Sequence, residues 1–264
     1  NKIKIAVGRD GRLSTPNLFK ALVNGIIDSG SDVVDIGIGP TPMLYYAGNS
    51  LNVDASIMIT GSHNPKNYNG FKITLGSKSF FGRDLIKLYN FIKGGKFASG
   101  KGRIFYKDIS KEYINVLLKH SEPFPNLSVV WDCGNGASGP VTEAVVGRLT
   151  GKHKVLFSEV DGAFPNHHPN PVDPETLEIL RSAVKSEAAD LGIGFDGDGD
   201  RIGVVDARGR QVPGDLLTAY LAQDVAKRHP GETFLLDIKS SQLALDMLTA
   251  AGGDAAIWKT GHSH

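Results

Sequence analysis

Three carboxylates stand at alternate positions in the segment Asp-Gly-Asp-Gly-Asp-Arg, residues 196–201. In an extended segment the side chains at i, i+2 and i+4 point to one side, and the glycines let the backbone turn so that Asp196, Asp198 and Asp200 converge. Anions this close repel one another unless a cation joins them, and an all-oxygen ligand set suits a hard ion such as Mg²⁺. We predict a metal site here, with a solvated acidic turn as the alternative.

A second candidate segment is Thr-Gly-Ser-His-Asn-Pro at 60–65, directly after the apolar run 55–59. A serine on a sharp glycine-flanked turn at a strand end is presented outward, as nucleophiles often are, so Ser62 is a candidate nucleophile. Its neighbour His63 is poorly placed to act as its base, and no G-x-S-x-G elbow surrounds the serine. Lys72 could supply a positive charge or a proton nearby. The alternatives are a structural turn and a solvated lysine.

A third pattern, Gly-Asn-Gly-Ala-Ser-Gly at 134–139, matches the dinucleotide fingerprint G-x-G-x-x-G. It follows a predicted strand, opens a predicted helix and has Glu159 twenty residues further on, which favours an NAD-dependent oxidoreductase. The alternative is a turn that packs a helix closely against a strand.

Basic residues also follow several predicted strands. Arg9 follows the first one, in the turn Arg-Asp-Gly-Arg at 9–12, which either faces an anion or is simply charged. Lys239 follows the run 233–237, and the segment Lys-Thr-Gly-His-Ser at 259–263 follows the last run. Because α/β domains bind ligands at the carboxyl ends of their strands, position makes candidates of Lys239, Thr260, Gly261 and His262.

The composition limits the function classes. The 264 residues include 29 Lys+Arg and 28 Asp+Glu, a formal charge of +1, which disfavours a polybasic nucleic-acid or membrane-surface protein. Glycine contributes 32 residues, above the usual ~7%, as expected for many tight turns. The single cysteine, Cys133, excludes an intrachain disulfide and a C-x-x-C zinc site. With no apolar run of ~18–20 residues and no signal peptide visible, we expect a cytoplasmic monomer.

Apolar runs alternate with segments of helical period along nearly the whole chain, which predicts α/β sheet domains. We expect strands at 2–7, 32–36, 55–59, 127–132, 154–159, 191–195, 202–205, 233–237 and 255–258. We expect helices at 16–29, 84–93, 108–118, 140–149, 175–187, 215–228 and 242–251. These elements suggest an α/β domain with the serine turn at 1–108, another with the aspartate segment at 109–211, and the start of a third at 212–264.

The segments 60–65, 68–72 and 196–201, in this order, resemble those of the α-D-phosphohexomutases, specifically the bacterial phosphomannomutase/phosphoglucomutase group. The turns at 8–12, 132–136 and 161–169 and the segment 259–263 are similar to that family too, so the resemblance covers essentially the whole chain. It implies tandem three-layer α/β/α domains, of which the third is incomplete here. It also implies that 134–139 is a turn without a cofactor.

The resemblance implies a mutase that interconverts hexose 1-phosphate and hexose 6-phosphate, of mannose or glucose. Ser62 would carry a phosphoryl group and pass it to a sugar hydroxyl, giving a glucose or mannose 1,6-bisphosphate that reorients and returns the other phosphoryl. Mg²⁺ would lie between a phosphoserine oxygen and the carboxylates of Asp196, Asp198 and Asp200.

The same resemblance implies roles for several further side chains. The proton carriers would come from His63, Lys72, Lys239 and His262, with the two lysines as the preferred general acid or base. The contacts to the phosphosugar would come from Arg9, Arg201, Lys239, Thr260, Gly261 and His262.

The sequence also departs from the family pattern. The N-terminal Tyr-Asp-x-Arg segment, the Gly-Glu-x-Ser-Gly-His loop that reads the sugar, and a fourth domain are not in these 264 residues. We therefore expect a piece of a longer mutase that keeps the serine and metal sites but does not complete sugar turnover. A metal-binding or nucleotide-binding module without catalysis is the alternative. The form Thr-Gly-Ser-His-Asn-Pro favours glucose and mannose phosphates over glucosamine phosphate.

Overall fold

The computed structural model describes residues 2–119 and 126–261, and it confirms the α/β fold class. Within these residues three sheets follow one another along the chain, with six, five and two strands. None of the helices in the described part is long and apolar enough to cross a membrane. The domain bounds at 1–108, 109–211 and 212–264 stay a prediction.

The first sheet contains β1 (Lys4–Arg9), β2 (Asp32–Ile38), β3 (Ala55–Ile59), β4 (Phe71–Leu75), β5 (Lys78–Ser79) and β6 (Ile104–Tyr106). The strand order is β5-β4-β3-β1-β2-β6. Strand β1 pairs in parallel with β2 and β3, and β2 pairs in parallel with β6, whereas β4 and β5 run antiparallel. The sequence pattern predicts β1 to β3 but not β4 to β6, which are short and half-exposed.

Helices α1 (Thr15–Asp28) and α2 (Thr41–Ser50) cover opposite faces of this sheet, and α3 (Arg83–Gly94) follows β5 without burying any of its residues. Successive residues of a strand face opposite sides, so Val7 packs in a core with Val23 and Ile26 of α1. Its neighbour Ala6 packs on the other side with Met43 of α2. Both helices have a proline in their first turn, where the missing N–H costs no helical bond. The sequence pattern did not predict α2.

The second sheet contains β7 (Ser128–Asp132), β8 (Lys152–Leu156), β9 (Leu191–Phe195), β10 (Ile202–Asp206) and β11 (Gln211–Val212), in the order β11-β10-β9-β7-β8. Its helices are α4 (Ser110–Lys119), α5 (Gly139–Val146) and α6 (Glu178–Ser186), the last preceded by a 3₁₀ turn, Pro174–Leu177. Strand β8 ends earlier than the predicted 159, because Phe157 takes the left-handed conformation at φ +52°.

The third unit contains α7 (Gly214–Arg228), β12 (Thr233–Asp237), α8 (Gln242–Ala250) and β13 (Asp254–Trp258). The two strands pair in parallel across the α8 crossover. Ala219, Leu236, Ala244 and Leu248 form its small core.

The fold places two loops from different units opposite each other. The serine loop, residues 60–70, leaves the carboxyl end of β3 and returns as β4, and the aspartate loop, residues 196–201, joins β9 to β10. Helix α2 begins beside the aspartate loop, since the N–H of Thr41 donates to the carbonyl of Asp198 at 2.8 Å.

Candidate active site

Ser62 sits in a strained turn of the serine loop. Its φ of +50° lies in the left-handed region, which residues with a side chain rarely adopt and which clusters at functional sites. The turn is held by the Ser62 N–H, which donates to Thr60 Oγ1 at 2.7 Å. At Gly61 a Cβ would lie 2.5 Å from Arg12 Cζ and 2.7 Å from the carbonyl oxygen of Tyr68, so a larger residue would displace Arg12 or the loop. The result is a serine that is 7% exposed and fixed in direction.

Arg12 anchors the serine loop through its side chain, which is fully buried. Its guanidinium donates at 2.7–2.9 Å to four backbone carbonyl oxygens of the loop, those of Ser62, Asn64, Pro65 and Tyr68. Its Nε pairs with Asp10 at 3.2 Å, and the same carboxylate accepts the N–H of Gly61 at 3.2 Å. This pair therefore fixes the loop that presents Ser62.

The aspartate loop is folded around one of its own carboxylates. Asp196 Oδ1 accepts the N–H groups of Asp200 and Arg201, each at 3.1 Å, and Gly199 takes a φ of +67°. At Gly197 a Cβ would lie 2.6 Å from the carbonyl oxygen of Ser62. Glycine there lets the two loops approach each other closely.

Side chains from both units meet between the loops. Ser62 Oγ donates to Asp196 Oδ2 at 2.9 Å. Lys72 Nζ, from β4, lies 2.6 Å from an oxygen of both Asp198 and Asp200. Asp196 and Asp198 are fully buried, so this is a dense cluster of charges with little water to screen it.

The three aspartates fit a divalent cation. One oxygen from each of Asp196, Asp198 and Asp200 lies within 4.8 Å of the others. Asp198 Oδ1 and Asp200 Oδ1 are buried and have no hydrogen-bond partner, and an unsatisfied buried carboxylate oxygen is costly unless something compensates it. Since all the donors are oxygens, the set suits Mg²⁺ among the common metals.

The pKa shifts of the aspartates indicate that their cluster contains too little positive charge to balance three carboxylates. Burial, followed by the charges of Asp198 and Asp200, raises the pKa of Asp196 to about 7. Burial also opposes the ionisation of Asp198, but the charge and hydrogen bond of Lys72 outweigh it and lower the pKa of Asp198. One lysine therefore stabilises some of the negative charge here but not all of it.

The two predicted proton carriers in the serine-loop region are in opposite states near neutral pH. Burial opposes the charge of Lys72, but Asp198 and then Asp200 outweigh it and raise the pKa of the ammonium. Burial, followed by the positive charge of Arg201, lowers the pKa of His63. Lys72 is therefore held protonated, and His63 is held neutral.

Comparison with known proteins identifies the family. The family model described as phosphoglucomutase/phosphomannomutase, alpha/beta/alpha domain I, matches residues 1–96. The model for alpha/beta/alpha domain II of the same family matches residues 105–209. This chain belongs to the phosphoglucomutase/phosphomannomutase family.

Individual relatives agree with this assignment. A phosphomannomutase/phosphoglucomutase of Pseudomonas aeruginosa is 43% identical over 259 residues, 98% of this chain and 56% of the relative. A phosphoglucomutase of Neisseria meningitidis serogroup B is 42% identical over 262 residues, 98% of this chain and 57% of the relative. The crystal structure of a phosphoglucomutase/phosphomannomutase family protein from Burkholderia thailandensis aligns with a TM-score of 0.94 and 38% identity, over 99% of this chain and 59% of that protein. The chain thus spans little more than half the length of these relatives.

Of the two other predicted arginines, Arg9 lies away from the serine loop and Arg201 lies at the edge of the site. Arg9 Nη1 pairs with Asp35 at 2.6 Å and its guanidinium stacks 4.0 Å from the ring centre of Phe19. It lines a cavity of about 610 Å³ beside Asp35 and Lys107 rather than the serine loop. Arg201 is at the edge of the site, 41% exposed, with Nε 3.8 Å from Asp200.

Lys239, Thr260 and Gly261, the predicted contacts of the third unit that the structure describes, are exposed. Lys239 borders a cavity of about 590 Å³ with Asp215 and Asp237. A hydrogen bond from the Lys239 backbone, followed by one from the Thr260 side chain, lowers the pKa of Asp237. Gly261 takes a φ of +119°, and His262 lies outside the described residues. Within residues 2–119 and 126–261, no hydrogen bond or ion pair joins Lys239 or Thr260 to Ser62 or the three aspartates.

The glycine pattern at 134–139 serves the family fold as a packing turn. Its N–H groups are used within the protein: those of Asn135 and Ala137, for example, donate to the carbonyls of Phe157 and Gly197. A Cβ at Gly139 would overlap the carbonyl oxygen of Ser158. The turn therefore supports the aspartate loop, and the N–H groups of Gly134, Asn135, Gly136, Ala137 and Gly139 already have acceptors within the protein.

Proposed function

We propose that this chain carries the phosphoryl-transfer site of a hexose-phosphate mutase, with Ser62 as the group that is phosphorylated. One observation carries the proposal: Ser62 Oγ lies 2.9 Å from Asp196, in a cluster of three aspartates and one lysine drawn from two units. Phosphoryl transfer depends on positioning and on charge stabilisation more than on covalent chemistry. A rigid serine beside a cation site is suited to that task.

Asp196, Asp198 and Asp200 would hold Mg²⁺, together with an oxygen of the phosphoryl group on Ser62. When bound, Mg²⁺ supplies Lewis acidity and neutralises charge on the transferring group. In the transfer, a sugar hydroxyl oxygen forms a bond to phosphorus as the bond from phosphorus to Ser62 Oγ breaks. The hydroxyl proton must pass to a base, and Ser62 Oγ must regain a proton.

The surroundings of His63 and Lys72 support different roles for them. His63, whose pKa is lowered, suits the acceptance of the hydroxyl proton. Lys72, whose ammonium lies in the same cluster as Ser62, would return a proton to Ser62. Arg201, at the exposed edge, would contact the anionic substrate. Lys239 and His262 stay predicted proton carriers for the second transfer.

The substrates we propose are glucose and mannose phosphates, and the 1,6-bisphosphate of either sugar would be intermediate and activator. The support is that the relative from Pseudomonas aeruginosa is named phosphomannomutase/phosphoglucomutase. Thr260, Gly261 and His262 would contact the sugar phosphate from the third unit, beside Lys239.

The test is whether a phosphoryl group is transferred to the protein itself. The chain is incubated with Mg²⁺ and glucose 1,6-bisphosphate, and its intact mass and phosphopeptides are measured. We expect one phosphoryl group on Ser62, none in Ser62→Ala, and an unchanged result in Ser138→Ala, a buried serine of the second unit. Phosphate on another residue would refute the role of Ser62, and no phosphate with Mg²⁺ bound would favour a metal-binding module without catalysis.

A further inference from the structure

The start of α2 is attached to the aspartate loop through one residue. Thr41 is fully buried, its N–H donates to the Asp198 carbonyl at 2.8 Å, and its hydroxyl donates to Asp198 Oδ2. A Cβ at Gly199 would lie 3.0 Å from Pro40 Cβ, so the two segments are in tight contact. A residue of the first unit thus binds both the backbone and the side chain of an aspartate 157 positions later.

The two oxygens of the Asp198 carboxylate have different surroundings. Oδ2 accepts from Thr41 Oγ1 and from Lys72 Nζ, whereas Oδ1 is buried without any hydrogen-bond partner. Two donors on one oxygen fix the rotation of the carboxylate and leave the other oxygen directed into the cluster. Carboxylates that bind metals are commonly oriented by such outer hydrogen bonds.

The hydroxyl of Thr41 has no comparable task in its own helix. Pro40 is the N-cap of α2, and no side chain caps the first turn. Lys72 is a weaker constraint on Asp198 because its ammonium is shared with Asp200 at the same distance of 2.6 Å. Of these two donors, Thr41 therefore fixes the direction of Asp198 more specifically.

We propose that Thr41 is a positioning residue of the metal site. Its hydroxyl orients the Asp198 carboxylate so that Oδ1 faces the cation, and its N–H ties the aspartate loop to the unit that carries Ser62. This inference rests on the proposed metal-dependent function. It also implies that a group far from the aspartate loop in sequence controls cation affinity without touching the cation.

The experiment is a calorimetric titration of the chain with Mg²⁺. Thr41→Val removes the hydroxyl but keeps shape and N–H, and we expect it to weaken Mg²⁺ binding about 10–100-fold, as is typical when such an outer partner is lost. Thr41→Ser restores the hydroxyl and should bind within a fewfold of wild type. The matched control is Thr142→Val, which removes another buried hydroxyl whose acceptor is the Ser138 carbonyl. Its affinity should stay at the wild-type value.

Melting temperatures without Mg²⁺ show whether each variant is folded, and mutase activity is not needed for the readout. Equal affinities for wild type and Thr41→Val would overturn the inference while the metal site itself stands. The inference would also be overturned if Thr41→Ser bound Mg²⁺ as weakly as Thr41→Val, or if Thr142→Val lost as much Mg²⁺ affinity as Thr41→Val. Absence of saturable Mg²⁺ binding by the wild-type chain would overturn the metal site and the inference together.

Discussion

Arg12→Lys tests whether the buried guanidinium holds the serine loop in place. Arg12 donates five side-chain hydrogen bonds, one to Asp10 and four to carbonyl oxygens of the loop. An ammonium has three N–H donors, so at least two acceptors lose their partner. At about 1–3 kcal/mol for each buried unsatisfied group, the loop should be destabilised by about 2–6 kcal/mol. Because lysine keeps the positive charge, any loss of loop stability reflects the hydrogen-bond geometry of the guanidinium.

The matched control is Arg9→Lys, three residues earlier. Arg9 bonds a single carboxylate, that of Asp35, which an ammonium can also bond, so the same change leaves no acceptor of the serine loop without a partner. Amide hydrogen exchange, followed by mass spectrometry of peptides from the serine loop, is the assay. A loss of 2 kcal/mol corresponds to about a 30-fold faster exchange. Equal protection of this loop in both variants would refute the claim that Arg12 clamps it.

Three further predictions concern the metal, pH and packing. Asp198→Asn should weaken Mg²⁺ binding in a calorimetric titration. The Mg²⁺ affinity of the wild type should fall as pH drops below about 7, because Asp196 must lose its proton to bind the cation. The same titration at several pH values checks this, and an affinity independent of pH would contradict it. The pKa of His167 is raised because its hydrogen bond to Asp132 outweighs the effect of burial. Its contribution to the free energy of unfolding is therefore full below the unfolded pKa of about 6.5 and is lost as pH rises through the folded pKa. Urea unfolding at several pH values should show this loss in the wild type but not in His167→Gln. Gly139→Ala should lower stability by about 1–3 kcal/mol because its Cβ overlaps a carbonyl, and an unchanged melting temperature would show that the turn adapts.

The sequence predicted the parts of the site that are local in the chain. The apolar runs around the aspartate loop placed it between strands, and β9 and β10 occur there. The turn that carries Ser62 follows β3 as expected. These predictions succeeded because alternation and turn residues are properties of short segments.

The sequence missed the residues that connect distant segments. Arg12 and Arg9 belong to the same charged turn, and only the fold shows that Arg12 reaches loop carbonyls 50 to 56 positions away. Thr41 bonds an aspartate 157 positions later, and no pattern in a single sequence encodes that pairing. An arginine beside an aspartate in a glycine turn was a usable signal for Arg12, but it did not decide between the two arginines.

The most direct test of the account is diffraction from crystals of the Ser62-phosphorylated chain soaked with Mn²⁺, whose anomalous signal locates the cation. We predict one strong peak within coordination distance of Asp196, Asp198, Asp200 and a phosphoryl oxygen on Ser62. A peak elsewhere, with the ammonium of Lys72 still bridging Asp198 and Asp200, would contradict the account.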